Sequence, residues 1–514
     1  MSTGIVYFVG AGPGHPGLIT LRGVECLRKA DAVLYDYLAN ARTLRHAHPD
    51  ADLVCLGRHR RSDVWSQEAI NAEMVRRASA GETVVRLKGG DPMVFGRAAE
   101  EIAALNQAGL PFEIVPGVTT ASAASAFTGV PITDRRFASA VALVTGHEQL
   151  GKPDSSLDYQ SLANFPGTLI IYMGVRTVEQ WTTRLLNAGK PADTPVLIVR
   201  RVSWPDQQSM TCQLGEVIDH LTPYQKFPPP VVVIIGEIAR AAPEFDWFHN
   251  LPLLGQGIMV TRPEHQVDEM VDRLSELGAN AIVQPAIAIQ EPQDWSVVDA
   301  AIDRLHDFDC IVFSSSNGVH SFLRRLLALG HDVRKLGDAK LAVTGPKTAE
   351  ALQEYSLVTD IQPASFRAEA VADAVIQWGH ASGQSDLPSH EKLAGKQVLL
   401  LRASRGRDVL AERIQSAGGS VEQVVAYESV DVDVADETVE EAWERGDVQW
   451  VTITSSAIAR SLYGMWGERL RGVKIASISP ITSEAIRELG LEPAAEATTY
   501  TTEGLIDAIV KAGT

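Results

Sequence analysis

A short pattern occurs twice in the second half of the chain, and both copies keep the same spacing. An apolar run that ends in arginine closes at Arg262 and again at Arg402, 140 residues later. A second apolar run that ends in serines follows each, and Ser455 lies 140 residues after Ser315. Short apolar runs separated by helical patterns are typical of α/β structure. The repeat therefore predicts two similar α/β lobes, and a cleft between lobes is a favoured place for a ligand.

The first half also alternates short apolar runs with helical patterns, beginning with a strand pattern at 5–9 and a helical pattern at 17–30. A segment with two prolines and two glycines, 241–257, separates the halves, and a weaker break at 131–136 divides the first half into two lobes. We therefore predict an α/β chain with one domain at 1–240, a linker at 241–256 and a second domain at 257–514.

The distribution of charge excludes some classes of partner. Residues 1–250 carry 23 basic and 25 acidic side chains, whereas residues 251–514 carry 23 basic and 39 acidic ones. So acidic a second half is not expected to bind nucleic acid. No apolar run approaches the roughly 20 residues of a membrane helix, and no basic region or cleavage site precedes the first strand pattern. We therefore expect a cytoplasmic protein without a membrane partner, whose four scattered cysteines bind no metal.

Glycines follow three strand patterns in the first half. The turn GAGPG, at 10–14, resembles a nucleotide-binding loop, but His15 breaks the dinucleotide pattern and no lysine follows as a P-loop requires. RLKGGDP at 86–92 allows close backbone approach to a ligand, and Asp91 can accept hydrogen bonds from hydroxyl or amino groups. PGVTTA at 116–121 ends another strand pattern. Since ligands of open α/β sheets bind beyond the carboxyl ends of strands, these segments predict a ligand site.

Six segments of the first half occur in the order seen in uroporphyrinogen III C-methyltransferases: GAGPG, YD at 35–36, RLKGGDPMVFGR, PGVTTA, TGH at 145–147 and YMG at 172–174. The resemblance covers about residues 4–240. It implies the two-lobed tetrapyrrole methyltransferase fold, S-adenosylmethionine bound between the lobes, and a homodimer. It also implies a set of cofactor-binding positions, namely Pro13, Gly89, Gly90, Asp91, Val94, Thr119, Thr120, Met173 and the backbone near Val202.

The resemblance assigns the catalytic positions as well. Asp36 lies at the family's proton acceptor, and Arg58 lies at its proton-donor lysine. Arginine stays protonated in proteins, so we hypothesise that Arg58 acts by its charge and steers a substrate carboxylate. The substrate carries several carboxylates, and the arginines that could contact them are Arg58, Arg60, Arg61, Arg97, Arg135 and Arg136.

Two further positions depart from the family pattern. His15 replaces an aspartate, and Asp134 replaces a histidine. A methyltransferase half with little activity is therefore an alternative.

Hydroxyl groups and arginines follow the strand patterns of the second half. A serine nucleophile is one interpretation, but no G-x-S-x-G elbow surrounds the serines, and serine at a helix start is often an N-cap. Binding of a ligand in the cleft is the other interpretation. The residues that would contact it are Arg262, Ser314, Ser315, Ser316, Asn317, Arg402, Ser455 and Ser456.

Four segments of the second half resemble uroporphyrinogen III synthase: VTRP at 260–263, FSSSNG at 313–318, VAY at 425–427 and the region from SP at 479–480 to Ala485. The resemblance covers about residues 257–512. It implies two flavodoxin-like lobes, 257–286 with 428–514 and 287–427, and closure of hydroxymethylbilane with inversion of its last pyrrole, without a cofactor. Tyr427, near a predicted hinge, is the candidate to protonate the departing hydroxyl group.

Together the two resemblances predict a bifunctional enzyme of tetrapyrrole biosynthesis. The synthase would make uroporphyrinogen III, and the methyltransferase would methylate it twice to precorrin-2, a precursor of sirohaem and cobalamin. One alternative is a related methyltransferase that acts on a later corrin precursor or on RNA. Another is a second half that binds a tetrapyrrole and regulates the first.

Overall fold

The computed structural model describes residues 3–57, 64–148, 156–221, 227–241, 246–365, 367–381, 392–406 and 408–513. Apart from residues 272–281 and the C-terminal end, the chain divides into two compact units between Gly257 and Ile258. The described residues form four five-stranded sheets, two from strands β1–β10 and two from strands β11–β20. Helices alternate with the strands throughout, which confirms the α/β class predicted from the sequence.

The first sheet has the order β3-β2-β4-β1-β5, and all its strands are parallel. The strands are β1 (Ile5–Gly10), β2 (Ala32–Tyr35), β3 (Asp52–Cys55), β4 (Thr83–Lys88) and β5 (Phe112–Val115). The helices are α1 (Leu21–Arg28), α2 (Gln67–Ser79), α3 (Ala98–Gln107) and α4 (Thr120–Thr128). Strand β4 is buried along nearly its whole length, as is typical of a central parallel strand. The glycine-containing segments found in the sequence all lie at the carboxyl ends of these strands.

The second sheet has the order β6-β7-β10-β8-β9 and is mixed. The strands are β6 (Val141–Thr145), β7 (Thr168–Tyr172), β8 (Pro195–Arg200), β9 (Gln208–Gln213) and β10 (Val231–Ile235). The helices are α5 (Tyr159–Ala163), α6 (Val178–Asn187) and α7 (Val217–His220). Strand β10 pairs antiparallel with both β7 and β8. The break predicted at 131–136 lies between the first sheet and this one.

The third sheet has the order β12-β11-β18-β19-β20. The strands are β11 (Gly257–Val260), β12 (Asn280–Val283), β18 (Trp450–Ile453), β19 (Lys474–Ser477) and β20 (Ala495–Glu496). The helices are α8 (Asp268–Glu276), α14 (Glu437–Glu444), α15 (Ser456–Trp466), α16 (Pro480–Glu488) and α17 (Thr502–Gly513). Numbered along this lobe, the strand order is 2-1-3-4-5, which is that of flavodoxin-like folds.

The fourth sheet has the order β13-β17-β16-β14-β15. The strands are β13 (Ile287–Gln290), β14 (Cys310–Phe313), β15 (Lys340–Val343), β16 (Gln397–Ala403) and β17 (Ser420–Asp431). The helices are α9 (Ser296–Asp303), α10 (Ser316–Ala328), α11 (Pro346–Glu354), α12 (Ala368–Ala381) and α13 (Val409–Ser416). The repeat read from the sequence is a repeat of sheet position, since β16 and β14 occupy the places of β11 and β18. The first strand of this sheet along the chain is β13, at the edge, whereas the first strand of the third sheet along the chain is β11, in the second position.

Strand β17 has two partners. Its first part pairs parallel with β16, and residues 428–431 pair antiparallel with β13. The pairing with β16 shifts register between Arg402 and Ala403, where Ala403 comes opposite Tyr427. The predicted hinge tyrosine therefore lies inside a long strand, directly before the part of it that pairs with β13.

Neither a membrane-crossing helix nor a metal cluster is found among the described residues. No helix in those ranges combines the length and hydropathy that a bilayer span requires. No group of three or more His, Cys, Asp or Glu side chains in those ranges is close enough to hold a metal ion.

Candidate active sites

The carboxyl ends of β1, β4 and β5 bring the three glycine-containing segments into contact. Gly90 N donates to Gly12 O at 2.8 Å, and Gly12 N donates to Gly90 O at 3.2 Å. A β carbon at Gly10 would lie 2.5 Å from the Gly117 Cα atom, so neither position accepts a larger residue without a shift of the backbone. At Gly90, whose φ is +71°, a β carbon would meet only the Thr120 hydroxyl, at 3.8 Å. Open space therefore borders Gly90 and Thr120.

Two polar side chains fix the loops around this space. Asp91 Oδ1 accepts from Met93 N at 2.8 Å, and its Oδ2 accepts from Gly117 N at 2.9 Å. The Tyr172 hydroxyl accepts from Ala121 N at 2.8 Å and lies 2.8 Å from Thr119 Oγ1. Burial raises the pKa of Tyr172, which keeps this hydroxyl protonated. Carboxylate oxygens have further lone pairs, so Asp91 can still accept a hydrogen bond from a ligand.

Backbone strain is concentrated in the segments that follow the carboxyl ends of β4, β7 and β8. Among the described residues other than glycine, six have a clearly left-handed φ, and five of them are Phe95, Arg97, Met173, Arg201 and Ser203. Met173 directly follows Tyr172, and 48% of it is exposed, so it is not a core residue. Strained backbone of this kind is characteristic of ligand-binding and catalytic sites.

The remaining predicted cofactor positions are linked to the same loops. Pro13 O accepts from Trp204 Nε1 at 3.0 Å. Val202 is buried, and its carbonyl oxygen would lie 2.7 Å from a β carbon at Gly14. Val94 N donates to Asp91 O at 3.3 Å. Gly89 precedes Gly90 and packs beside Leu38.

Asp36, at the end of β2, is not a freely solvated carboxylate. Its Oδ1 accepts from Arg86 Nη2 at 2.6 Å. The Arg86 side chain is only 3% exposed, whereas that of Asp36 is 30% exposed. Sequence reasoning gave Arg86 no role, although a charged residue inside the apolar strand β4 was a signal that could have found it.

Two departures from the methyltransferase pattern have a structural account. His15 Nδ1 accepts from Gly17 N at 3.0 Å, so the neutral imidazole caps the turn Pro16–Leu18. Burial lowers the pKa of His15, which favours that neutral form. Asp134 Oδ1 accepts from Arg136 Nε at 3.0 Å, and the hydrogen bonds from Arg136 lower the pKa of Asp134.

The six candidate arginines of the first half fall into three groups. Arg58, Arg60 and Arg61 lie outside the described residues. Arg97 pairs with Glu100, and Arg136 pairs with Asp134. Arg135 forms no ion pair with another residue of the described ranges, so its guanidinium is available to a ligand.

Tyr427 forms the centre of a second site. Only 7% of it is exposed, and its hydroxyl lies 2.9 Å from Ser315 Oγ. Ser315 caps helix α10, since its Oγ accepts from Gly318 N at 3.1 Å. In the hydrogen bond between Ser315 and Tyr427, either hydroxyl can be the donor. Burial raises the pKa of Tyr427, against smaller opposing effects of hydrogen bonds to Ser315 and Asn317. The phenol is therefore protonated at neutral pH.

A cavity of about 450 Å³ opens beside Tyr427. Asn317 lies on its wall, with its Oδ1 2.8 Å from His265 Nε2 and 3.0 Å from Gln266 Nε2. His320 and Arg324 line the same cavity. Sequence reasoning missed His265, His320 and Arg324. The spacing of Asn317, His320 and Arg324, which places them along one face of α10, could have found the last two.

The other predicted substrate residues of the second half occupy different surroundings. Neither Arg262 nor Arg402 lines the cavity beside Tyr427. Burial lowers the pKa of Arg262. Arg402 Nη2 donates to Gly406 O at 2.6 Å, and its Nη1 contacts Asp408.

The predicted serines are used at strand ends and helix starts. Ser314 Oγ donates to Leu401 O at 2.9 Å. Ser455 caps helix α15 by accepting from Ile458 N at 3.2 Å, just as Ser315 caps α10. Ser316 and Ser456 are the first residues of those helices.

The chain matches two family models in succession. Residues 5–218 match the Tetrapyrrole (Corrin/Porphyrin) Methylases, and residues 268–507 match Uroporphyrinogen-III synthase HemD. The two matched segments do not overlap; the first contains Gly90 and Asp36, and the second contains Tyr427 and Asn317.

Individual relatives extend over one or both segments. The porphyrin biosynthesis protein HemD of Ruminiclostridium josui is 30% identical over 515 residues, which cover 100% of this chain and 99% of the relative. The uroporphyrinogen-III C-methyltransferase of Bacillus subtilis (strain 168) is 37% identical and covers 71% of this chain and 74% of the relative. A crystal structure of uroporphyrin-III C-methyltransferase from Thermus thermophilus, complexed with S-adenyl homocysteine, is 39% identical with a TM-score of 0.40; the match covers 46% of this chain and 100% of that one. This chain belongs to the family of porphyrin biosynthesis proteins that join a tetrapyrrole methylase to a uroporphyrinogen-III synthase.

Proposed function

We propose that this protein catalyses two consecutive steps of tetrapyrrole biosynthesis. Residues 257–514 close hydroxymethylbilane to uroporphyrinogen III and invert its last pyrrole, and residues 1–240 methylate that product twice to precorrin-2. The observation that carries the proposal is the match of both family segments within one chain, together with a relative similar over its full length. The order of the reactions supports it, because the product of the second half is the substrate of the first.

The first site suits S-adenosylmethionine as the methyl donor. Gly90 has open space toward the Thr120 hydroxyl, and the segments around it also carry the Asp91 carboxylate, the Thr119 hydroxyl and the exposed Met173 thioether. Hydroxyl and carboxylate groups suit the amino acid and ribose of this cofactor. When bound, this cofactor supplies a methyl group already activated by positive sulfur. The residues that would hold it are Pro13, Gly89, Gly90, Asp91, Val94, Thr119, Thr120, Met173 and Val202.

Asp36 then acts as the proton acceptor of methyl transfer. After methyl transfer the tetrapyrrole ring must lose a proton, and a carboxylate at a strand end beside the cofactor loops can accept it. Arg86 fixes one oxygen of that carboxylate by the 2.6 Å hydrogen bond, and the Asp36 side chain is 30% exposed. Arg135, together with Arg58 at the position of the family lysine, supplies positive charge for the substrate carboxylates.

Tyr427 acts as the acid of ring closure. The departing hydroxyl of hydroxymethylbilane takes the phenolic proton and leaves as water, and Ser315 keeps a hydrogen bond to the phenol oxygen. The raised pKa of Tyr427, which burial causes, keeps the proton in place until the substrate is seated. The side chains of Asn317 and Arg324 in the adjacent cavity contact the carboxylates of the linear substrate. Ser314, Ser316, Arg262, Arg402, Ser455 and Ser456 remain proposed contacts on the strand ends.

A homodimer formed through residues 1–240, in the cytoplasm, completes the proposal. The resemblance of this half to dimeric methyltransferases supports it. Sedimentation of the full chain at several concentrations measures its mass, and a monomer at every concentration would contradict the dimer.

The first experiment supplies the purified protein with freshly made hydroxymethylbilane, with and without S-adenosylmethionine. Type III uroporphyrinogen without the cofactor, and a dimethylated product with it, are the expected results. The type I isomer from the bilane would instead assign the second half a binding or regulatory function. Type III product that stays unmethylated would contradict the methyltransferase proposal alone.

A further inference from the structure

Four charged side chains form a continuous chain through the interior of the first unit. Arg86 Nη2 donates to Asp36 Oδ1 at 2.6 Å, and Arg86 Nε donates to Glu101 Oε1 at 3.1 Å. Lys88 Nζ donates to Glu101 Oε2 at 2.7 Å. We call Asp36, Arg86, Glu101 and Lys88 the buried charge chain.

Three of these residues have almost no contact with water. Arg86 is 2% exposed, Lys88 is 3% exposed and Glu101 is not exposed at all. Burial lowers the pKa of Lys88, the neighbouring Arg86 lowers it further, and Glu101 opposes both effects. Buried charges cost free energy unless each is paired, and here two cations balance two carboxylates. Asp36 is the only member with an appreciable exposed fraction, and it is the proposed proton acceptor.

The geometry gives each member a definite partner. Glu101 Oε1 receives Arg86 Nε and, at 3.3 Å, Gln67 Nε2, whereas Oε2 receives Lys88 Nζ. Without Lys88, a single buried guanidinium would have to neutralise two carboxylates. Glu101 cannot turn to water, but Asp36 can, so Arg86 would be drawn toward Glu101 and would release Asp36.

We propose that Lys88 is a positioning residue for methyl transfer, which neutralises Glu101 and thereby leaves Arg86 free to hold the Asp36 carboxylate. The inference rests on the function proposed above for Asp36. The side-chain nitrogen of Lys88 donates to Glu101. Its backbone oxygen accepts from Ala11 N at 2.8 Å, and that contact is kept by any residue at this position.

The replacement Lys88→Met in the full-length protein tests the inference. We expect kcat for methylation of uroporphyrinogen III to fall on the order of 10²-fold, since small displacements of a reacting group have effects of that size. The Kd for S-adenosylmethionine, measured by calorimetry, and both KM values should stay within about twofold, because the binding residues are untouched.

The double replacement Lys88→Met with Glu101→Gln separates charge balance from packing. Glu101→Gln alone leaves two cations on Asp36, and it should also slow turnover. The double variant removes one charge of each sign, and the amide oxygen that Glu101→Gln introduces can still accept from Arg86. We therefore expect it to be at least about tenfold faster than Lys88→Met, a non-additive result typical of residues in one network. The inference is overturned if the fold-losses in kcat of the two single variants multiply in the double variant. A wild-type kcat in Lys88→Met would also overturn it.

Lys190→Met is the matched control. Lys190 is also a buried lysine of the first unit whose pKa burial lowers, but it donates to Ala163 O at 3.3 Å, away from Asp36. Its kcat should match wild type within about twofold. The synthase activity of every variant reports the integrity of the chain, and cofactor binding reports that of the first unit. If Lys88→Met does not bind the cofactor, the test compares kcat for methylation in the double variant with kcat in Glu101→Gln. A lower kcat in the double variant overturns the inference.

The same assays separate failure of the inference from failure of the proposed function. Wild-type protein that does not methylate uroporphyrinogen III would overturn the proposed function, whatever the variants do. Full activity in Asp36→Asn would remove the proton acceptor and the inference together. An inactive Asp36→Asn beside a fully active Lys88→Met would overturn the inference alone.

Discussion

Two single residues of the first half, His15 and Asp134, differ from those that the family resemblance implies. His15 stands where the resemblance implies an aspartate, and its neutral imidazole nitrogen caps the turn Pro16–Leu18 by accepting a backbone hydrogen bond. Asp134 replaces a histidine and holds Arg136, while the adjacent Arg135 stays available. The sequence predicted both departures from the family pattern, and the structure shows that His15 supplies a hydrogen-bond acceptor at the turn.

Protonation of His15 should destabilise the first unit in mild acid. The pKa of His15 is lowered in the folded state by burial, so the unfolded chain binds the proton more readily. The stabilising contribution is therefore complete above the unfolded pKa of about 6.5 and is lost as pH falls toward the folded value. We expect Tm to fall between pH 7.5 and 5.5 by more in wild type than in His15→Asn. Equal losses in both proteins would contradict this account of the cap.

Removal of the Tyr427 hydroxyl should slow ring closure with little loss of stability. Tyr427→Phe keeps the buried ring and loses the contact with Ser315, at a cost of about 1 kcal/mol in the free energy of unfolding. Formation of the type III isomer should slow by about 10²-fold or more, as expected for loss of a general acid. Chromatography of the isomers formed per minute measures this, and an unchanged rate would remove Tyr427 from the mechanism.

Restoration of the family lysine should alter methylation only slightly. If Arg58 acts by charge alone, Arg58→Lys keeps that charge, and methylation turnover should change by less than about tenfold. Single-turnover methylation of uroporphyrinogen III is the measurement. A large gain in rate would show that proton donation at this position matters.

At the scale of helices and strands, local sequence patterns predicted the strands themselves better than the pairing between them. The apolar runs found the strands, and the 140-residue offset matched β11 with β16 and β18 with β14, because equivalent sheet positions need similar burial. The order of chain entry into the second lobe could not be read, since it depends on contacts between distant strands. The contact of Asp36 with Arg86 was missed for the same reason, as 50 residues separate them.

Helix α10 offers a test of how a cap can also support catalysis. Ser315→Ala removes the N-cap of α10 and the partner of Tyr427, so it should lower the free energy of unfolding by about 1 kcal/mol and also slow the synthase. Asp436→Ala removes the N-cap of α14, in which Asp436 Oδ1 accepts from Thr438 N. Asp436 does not line the cavity beside Tyr427. This variant should cost similar stability and leave synthase turnover unchanged. Equal synthase rates in the two variants would contradict the supporting role of Ser315.

At the scale of the whole molecule, the two family matches occupy separate segments of the chain. The methylase match ends at residue 218, and the synthase match begins at residue 268. The first half is nearly neutral, whereas the second carries most of the net charge of −18. Family resemblance predicted the order of the two families along the chain, because motif order can be read where pairwise contacts cannot.

Two variants of the chain, each impaired in one of the two reactions, should therefore restore the whole conversion when mixed. An Asp36→Asn chain supplies uroporphyrinogen III, and a Tyr427→Phe chain methylates what diffuses to it. We expect dimethylated product from hydroxymethylbilane in the mixture and little from either chain alone, measured by mass spectrometry. Absence of product from the mixture, with each remaining activity intact, would show that the intermediate passes only within one chain.

The double connection between the third and fourth sheets has a mechanical consequence. Residues 287–290 and 428–431 run side by side as an antiparallel ribbon, and Val432 N donates to Ala286 O at 2.9 Å where the ribbon ends. A single connecting strand could turn about its own bonds, whereas two hydrogen-bonded strands have to move together. Any change in the angle between the two sheets therefore has to deform both strands of the ribbon at once.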